Sequence, residues 1–303
     1  MDQITVRVPA TTANCGPGFD AVGIACSMYN EISLSIHSGG GNIIEVNGLG
    51  KGHILCDERN IAFQAVKMVF DRVKKPLQDI RLILTNHIPI ARGLGSSAAA
   101  IVGGLVAANE VTGRTLTKQD LLDMATAMEG HPDNVAPAIL GGICVSVMQN
   151  PTTHTLTFAP TENLHLVVAV PEFTLSTRVA RQVLPKSVLL KDAVFNVSRV
   201  ALLVGALARG ELSYLAYALD DKLHQPYRQK LIPGMEEAFQ AAKKQGALGV
   251  TISGAGPALM AYTMGNTDAV GQAMVDAFAG KGKPAAYHIL QVDMEGAKVV
   301  QKS

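Results

Sequence analysis

The segment Pro89-Ile90-Ala91-Arg92-Gly93-Leu94-Gly95-Ser96-Ser97-Ala98-Ala99-Ala100 decides how this chain is read. Gly93 and Gly95 carry no Cβ, so the backbone there can turn tightly and come close to a ligand. Ser96 and Ser97 follow at once, and either can cap the alanine-rich run from Ala98 to Asn109, a good helix former. A turn that feeds a helix start presents free N–H groups and the positive end of the helix dipole, which together favour an anion. The segment predicts a phosphate-cradling loop. A glycine turn before a helix can also serve packing alone, so the rest of the chain has to decide.

The better-known phosphate loops do not fit. A GxxxxGK[ST] loop needs a lysine before the hydroxyl residue, and the chain has no such run. Gly93-x-Gly95-x-x-Ala98 loosely mimics a dinucleotide fingerprint, but that motif opens an N-terminal βαβ unit and needs an acidic residue about 20 positions on. Thr112, Gly113, Arg114 and Thr115 stand there instead.

Three further stretches accompany this loop: Val8-Pro9-Ala10-Thr11-Thr12-Ala13-Asn14-Cys15-Gly16-Pro17-Gly18-Phe19-Asp20, Glu129-Gly130-His131-Pro132-Asp133-Asn134 and Ile252-Ser253-Gly254-Ala255-Gly256-Pro257-Ala258. With Pro-x-x-x-Gly-Leu-Gly-Ser-Ser-Ala they resemble, in matching order from position 8 to 258, the motifs of the GHMP kinases, which phosphorylate small metabolites with ATP. The first and the Glu-Gly-His-Pro-Asp-Asn run are similar to the form seen in the homoserine kinases. The resemblance implies an α+β, two-lobed GHMP kinase fold, with a ribosomal S5-like N-terminal half and a ferredoxin-like C-terminal half around a shared active site.

Bulk properties agree with that reading and decide little. The chain has 303 residues, 48% of them hydrophobic, enough to bury a large core. A net charge of +1 gives no broad field for nucleic acid or an anionic membrane. The N-terminal residues have no apolar signal core, and no apolar run approaches the roughly 20 residues that span a bilayer. Cys15, Cys26, Cys56 and Cys144 lack CxxC spacing, which points to reduced thiols and a cytoplasmic protein.

Periodicity supplies the elements. Ile4 to Val8 and Ile32 to Ile36 alternate as strands, and Ile80 to Leu84 is a strand leading into the loop. Asn60 can cap a helix from Ile61 to Val73, and Thr117 with Asp120 forms a capping box for a helix from Lys118 to Met128. Ile143 to Met148 reads as a strand. Asn150 to Pro160 is polar and turn-rich, and divides an ATP-binding domain, residues 1–155, from a second domain, residues 156–303. The second contains strands at Leu164–Val170, Leu248–Ile252, Ala258–Thr263 and Ala286–Val292, a long apolar-faced helix at Lys191–Ala208, and helices ending at Gln245 and near Phe278.

The resemblance also implies a chemistry. Phosphoryl transfer asks a protein for positioning and charge neutralisation more than for covalent help. Magnesium bridging nucleotide phosphates wants hard oxygen ligands, and Ser97 and Glu129 supply a hydroxyl and a carboxylate. Ser97 can equally be a plain helix cap. Glu129 at a helix C-terminus opposes the dipole, an arrangement a metal partner would explain. Residues Pro89 to Ala99 would hold the nucleotide, with Arg92 facing either phosphate or solvent and adenine near residues 56 to 64. The acceptor would be L-homoserine, giving a phosphate ester on the way to threonine. Arg181 and Arg228 match the positions of two carboxylate-binding forks. Asp20 would hold the ammonium, Asn14 and His131 would contact the substrate, and Asn134 would touch the attacking hydroxyl. Asp133 is the obvious carboxylate for a general base, yet a loose transition state needs little base help. Gly254 would donate its N–H near the site, or its turn is simply a hairpin. A homodimer is the expected assembly. Two other readings stand beside this one: another GHMP kinase acting on mevalonate or a sugar, and an inactive sensor, which should have lost Ser97 or Glu129.

Overall fold

The computed structural model describes residues 3–161 and 163–302. Its spine is a pair of long antiparallel strands, β1 (Gln3–Ala13) and β2 (Val22–Ile36). Their register shifts between Pro9 and Ala10. Proline has no N–H for the ladder and is tolerated at such an irregularity. Beyond it, β2 changes neighbours. Residues Glu31–Ile36 pair with β4 (Ile80–Asn86), whereas Val22–Ile24 pair with β5 (Ile143–Gln149). β3 (Ile43–Gly48) lies parallel to β4, and β6 (Thr152–Phe158) forms a hairpin with β5.

Four helices accompany this sheet: α1 (Ile61–Arg72), α2 (Ser96–Val111), α3 (Lys118–Glu129) and α4 (Pro132–Leu140). The Asn60 side chain accepts the Ala62 N–H, and Thr117 with Asp120 makes the expected capping box. The start of α2 differs from the expectation. Gly95, at φ +69°, occupies the cap position without any side-chain cap bond, and Ser96 and Ser97 are the first helical residues. Their hydroxyls are thereby left for other partners.

The second half runs β7 (His165–Pro171), α5 (Thr177–Gln182), α6 (Leu190–Arg209), α7 (Leu215–Ala218), α8 (Gln225–Arg228), α9 (Met235–Lys244), β8 (Gly249–Ile252), β9 (Leu259–Thr263), α10 (Thr267–Ala279), β10 (Ala285–Leu290) and β11 (Lys298–Lys302). Among the described residues its sheet has the order β10-β7-β9-β8, all antiparallel. Successive β7 residues enter different cores. Leu166, Val168 and Val170 join the large core shared with the first sheet, while Val167 and Ala169 pack with Phe278, Met274 and Ala238 beneath α9 and α10. A strand covered on both faces reads as a continuous apolar run.

Three features depart from the sequence expectations. The polar Asn150–Pro160 stretch contains β6, so the division at 155/156 falls inside a strand of the first sheet. β11, from the far end of the chain, pairs with β1 and extends that sheet. A helix that the periodicity does not supply follows Glu129: Gly130 (φ +89°) ends α3, and Pro132, at the first turn where its missing N–H costs nothing, opens α4. α6 does form, but Leu190, Val194 and Val197 of its apolar face lie exposed.

Gly103 gives a test of how tightly α2 lies on the sheet, because a Cβ there would sit 2.3 Å from Cγ1 of Ile32. Alanine is otherwise the better helix former by ~1 kcal/mol, yet Gly103→Ala should lower unfolding stability by about 1–3 kcal/mol through overpacking. Urea denaturation checks the sign; an unchanged or raised midpoint would refute the close contact.

Candidate active site

One cavity of about 390 Å³ opens between the two halves, within the size range of small-ligand sites. Pro89, Ile90, Ala91, Gly93, Leu94, Gly95, Ser96 and Ser97 line it. The loop is held by segments far away in sequence. Thr11 N–H donates to Leu94 O, Leu175 N–H to Ala91 O, and Ala258 N–H to Arg92 O, each at 3.1 Å. Ser253 Oγ lies 2.6 Å from Gly93 O.

The first intrahelical bond of α2 runs from Ala99 N–H to Gly95 O at 2.8 Å. The amides of Ser96, Ser97 and Ala98 therefore precede the ladder and have no intrahelical acceptor. With the dipole of a 16-residue helix behind them, they form a ready anion site.

The side chains of three members of the expected nucleotide set point elsewhere. Arg92 turns away from the cavity and donates to the carbonyls of Pro171, Ile90 and Glu172, joining the loop to the end of β7. The methyl groups of Ala98 and Ala99 are buried in the core, since they fall on the inward face of α2. Ala100 reaches the cavity instead. The cavity's more apolar end is made by Ile54, Ile61, Leu84 and Ile90 with Asn60 and Asn86, overlapping the 56–64 region expected to receive adenine. Asn86 owes its place to Asn30, whose Nδ2 donates to Asn86 Oδ1 and whose Oδ1 accepts the His87 and Ile88 N–H groups. No motif marks Asn30 or Asn86 in the sequence.

Ser97 Oγ lies 3.4 Å from Glu129 Oε2. Burial raises the pKa of Glu129, and the carboxylate of Asp133 pushes the same way. Among the described residues no lysine or arginine pairs with Glu129 in a salt bridge. A carboxylate penalised by burial, beside a hydroxyl and without a salt bridge among the described residues, suits a hard divalent cation, although the charges of His131 and Arg181 partly offset the penalty. A second grouping, Asp20, His131 and Asp133, has the donor types for a metal. Its carboxylates already have partners, because Arg181 binds Asp20 and His131 binds Asp133.

The remaining predicted residues meet across the cavity. Asn134 Oδ1 accepts from Thr11 Oγ1 at 2.7 Å, which fixes the amide so that its nitrogen faces Asp133 Oδ1 at 3.4 Å. His131 Nδ1 bonds Asp133 Oδ1. Burial lowers the pKa of His131, but the bond to Asp133 together with the charges of Asp133 and Asp20 raises it overall. Asn14, at φ +70°, is spent mainly on framework. Its Nδ2 donates to Gly254 O and its Oδ1 accepts from Asp20 N–H.

Gly254 departs from expectation. Its N–H donates to Ala13 O, so the turn offers the cavity no amide at that position. The carbonyl of Gly254 instead accepts from Arg228 and Asn14.

The two arginines differ sharply. Arg181 forms a two-pronged pair with Asp20, at 3.1 and 2.7 Å, at the cavity's edge. Arg228 is 1% exposed and has only neutral acceptors: Ala180 O, Gly254 O and His224 Nδ1. Burial, with Arg181 adding its repulsion, pulls its pKa down to about 10. It remains charged at neutral pH, a buried cation awaiting an anion. The Phe19 ring lies beneath both guanidiniums, 5.5 Å from Arg181 and 5.4 Å from Arg228.

Comparisons with known proteins agree with this geometry. Residues 60–142 match the GHMP kinases N terminal domain, and residues 203–281 match the GHMP kinases C terminal domain. A homoserine kinase of Moorella thermoacetica is 48% identical over 97% of this chain and 99% of its own length. One from Carboxydothermus hydrogenoformans is 46% identical over 97% of this chain and 96% of its own. The crystal structure of homoserine kinase from Cytophaga hutchinsonii superposes with a TM-score of 0.92 at 32% identity, covering 99% of this chain and 98% of that one. The fold extends to L. major mevalonate kinase, at a TM-score of 0.71, 18% identity and coverage of 94% and 95%. Loop, cavity and full-length similarity lead to one assignment: the chain belongs to the GHMP kinase family, in its homoserine kinase branch.

Proposed function

We propose that the chain transfers the γ-phosphoryl group of ATP to the side-chain hydroxyl of L-homoserine, giving ADP and O-phospho-L-homoserine. One observation carries the reading. A single cavity joins an anion-binding helix start, with Ser97 and Glu129 beside it, to a cluster of Asp20, Arg181 and Arg228. The first suits a triphosphate; the second suits an α-amino acid, which brings a carboxylate and an ammonium together.

In this reading the amides of Ser96, Ser97 and Ala98 take the phosphate tail, and the apolar end between Ile61 and Ile90 takes the base. Ser97 and Glu129 would hold magnesium, which when bound neutralises charge on the phosphates. Asn134, immobilised by Thr11, positions the acceptor hydroxyl. Proton removal needs no dedicated carboxylate, because the attacking oxygen loses its proton late in a loose transition state. An acceptor zwitterion exchanges partners with the resting ion pair: its carboxylate takes Arg228 and Arg181, and its ammonium takes Asp20. A second copy of the chain would cover the exposed apolar stripe of α6, the dimer that family membership suggests.

The direct test is an ADP-release assay across L-homoserine, mevalonate, galactose and shikimate. Turnover above background is expected with L-homoserine, and turnover only with another acceptor would overturn the assignment. Arg228→Ala should raise the KM for L-homoserine roughly hundredfold, the scale of a lost charge-assisted hydrogen bond, and leave the Kd of an ATP analogue within about twofold. Equal damage to both would break the proposed division of labour. Glu129→Gln should cut kcat about a hundredfold or more and raise the magnesium needed for half-maximal rate. Unaltered turnover at saturating magnesium would remove Glu129 from the site of the metal.

A further inference from the structure

We propose that His224 is a positioning residue that aims the Arg228 guanidinium at the acceptor's carboxylate while leaving its positive charge uncancelled. The inference rests on the acceptor-site reading given above and concerns a residue outside the motifs that define the loop.

His224 is fully buried at the start of α8, one helical turn before Arg228. Its Nε2 lies 2.8 Å from Gly16 O. A carbonyl only accepts, so Nε2 carries the proton and Nδ1 keeps its lone pair. That lone pair accepts from Arg228 Nη1 at 3.2 Å. The same Nη1 also donates to Gly254 O at 3.0 Å, and Nε donates to Ala180 O at 3.2 Å. Three of the five guanidinium hydrogens are thus used, and Nη2 is left with its pair among the described residues. Arg228 lines the cavity, so the unclaimed hydrogens belong to the end available to a ligand.

A carboxylate in place of His224 would hold the fork as well, but it would form an internal ion pair. The arriving carboxylate would then compete for a charge already spent. A neutral imidazole fixes direction without neutralising. Burial lowers the pKa of His224 against the pull of Asp221, and the positive charge of Arg228 acts with burial. Phe19 stacks on the ring at a centroid distance of 5.0 Å. The nearest carboxylate, Asp221, has its Oδ2 3.6 Å from Nε2. Its oxygens already accept from the N–H groups of Leu223, His224 and Gln225 and from Asn196 Nδ2. Asp221 therefore organises the turn, and His224 transmits that order to Arg228.

Two substitutions separate the ring's two nitrogens. Glutamine can place an N–H near the Nε2 position and keep the bond to Gly16, but it offers no acceptor at Nδ1. Asparagine places Oδ1 near the Nδ1 position and keeps the acceptor for Arg228. His224→Gln should raise the KM for L-homoserine roughly ten- to hundredfold, whereas His224→Asn should stay within about threefold of the unsubstituted protein. For both, kcat and the Kd of an ATP analogue should change little.

A double-mutant cycle supplies the second readout. In an Arg228→Ala background, His224→Gln should cost no further KM, because the group it positions is gone. Equal effects of the two substitutions, parallel loss of nucleotide affinity, or full additivity with Arg228→Ala would each overturn the proposal. Should His224→Gln fold poorly, the asparagine variant and the cycle built on it still have to meet these values. Failure of the unsubstituted protein to phosphorylate L-homoserine would instead strike the acceptor assignment itself, and the two failures are told apart by that control.

Discussion

The active site depends on the contact between two glycine turns. A Cβ on Gly93 would stand 2.1 Å from the carbonyl oxygen of Ser253, with Gly93 at φ +83°. A side chain at Gly93 is thus forbidden twice, by conformation and by space. The loop preceding α2 keeps its shape through this contact, together with the bonds from Thr11, Leu175 and Ala258. These come from β1, from the segment after β7 and from the β8–β9 turn. The anion site is therefore local in sequence but not in stability. Loosening the second lobe would loosen the amides at the start of α2, although none of them belongs to that lobe.

Charge is arranged around the cavity so that each half prepares for a particular ligand. At the nucleotide end the protein offers amide dipoles and no lysine, so its attraction for phosphate is directional and shaped by the backbone. At the acceptor end it holds an ion pair, Arg181 with Asp20, beside a second cation that lacks an anionic partner in contact. A ligand with only a carboxylate would satisfy Arg228 but leave Asp20 paired as it was. One with only an ammonium would have to pull Asp20 from Arg181 and leave two arginines uncompensated near each other. A zwitterion answers both charges. In the proposed reading, selectivity for an amino acid follows from the cost of leaving the buried Arg228 and the half-buried Asp20 and Arg181 uncompensated more than from added attraction.

Much of this was legible in the sequence because the signals were local. The caps at Asn60 and Thr117, the periodic strands and helices, and the run from Gly93 to Ser97 are read from neighbours within a few positions. Ser97 and Glu129 fall together, as did Asn134 and Asp133. What escaped depends on long-range pairing or on side-chain direction. β11 and β6 are polar edge strands whose partners lie elsewhere in the chain, so neither carries a strong pattern of its own. Ser96 and Ser97 looked like caps because Gly95 can adopt a left-handed cap conformation that a reading of propensities does not reveal. Arg92 sits in the loop by sequence and beside β7 in space. The Gly254 amide had a plausible ligand until Ala13 was found to take it. His224 lies one helical turn before Arg228 and in none of the quoted motifs, and its importance rests on which of its nitrogens meets Arg228.

Asp133 shows how the geometry bears on chemistry. As a carboxylate two residues from His131 and next to Asn134, it has the composition of a general base. It is 1% exposed, and its Oδ1 is occupied by His131 and by Asn134 Nδ2. Oδ1 is spent on holding two neighbours, whereas Oδ2 has no hydrogen-bond partner among the described residues, and Asp133 lines the cavity. Those neighbours, at the start of α4, line the cavity and in the proposed reading face the acceptor. Through Oδ1 Asp133 fixes the orientation of His131 and Asn134, and in the proposed reaction the acceptor hydroxyl need not lose its proton before it reaches the phosphate. A transition state with little bond formation to the incoming oxygen tolerates that arrangement, since the proton grows acidic only as the new bond completes.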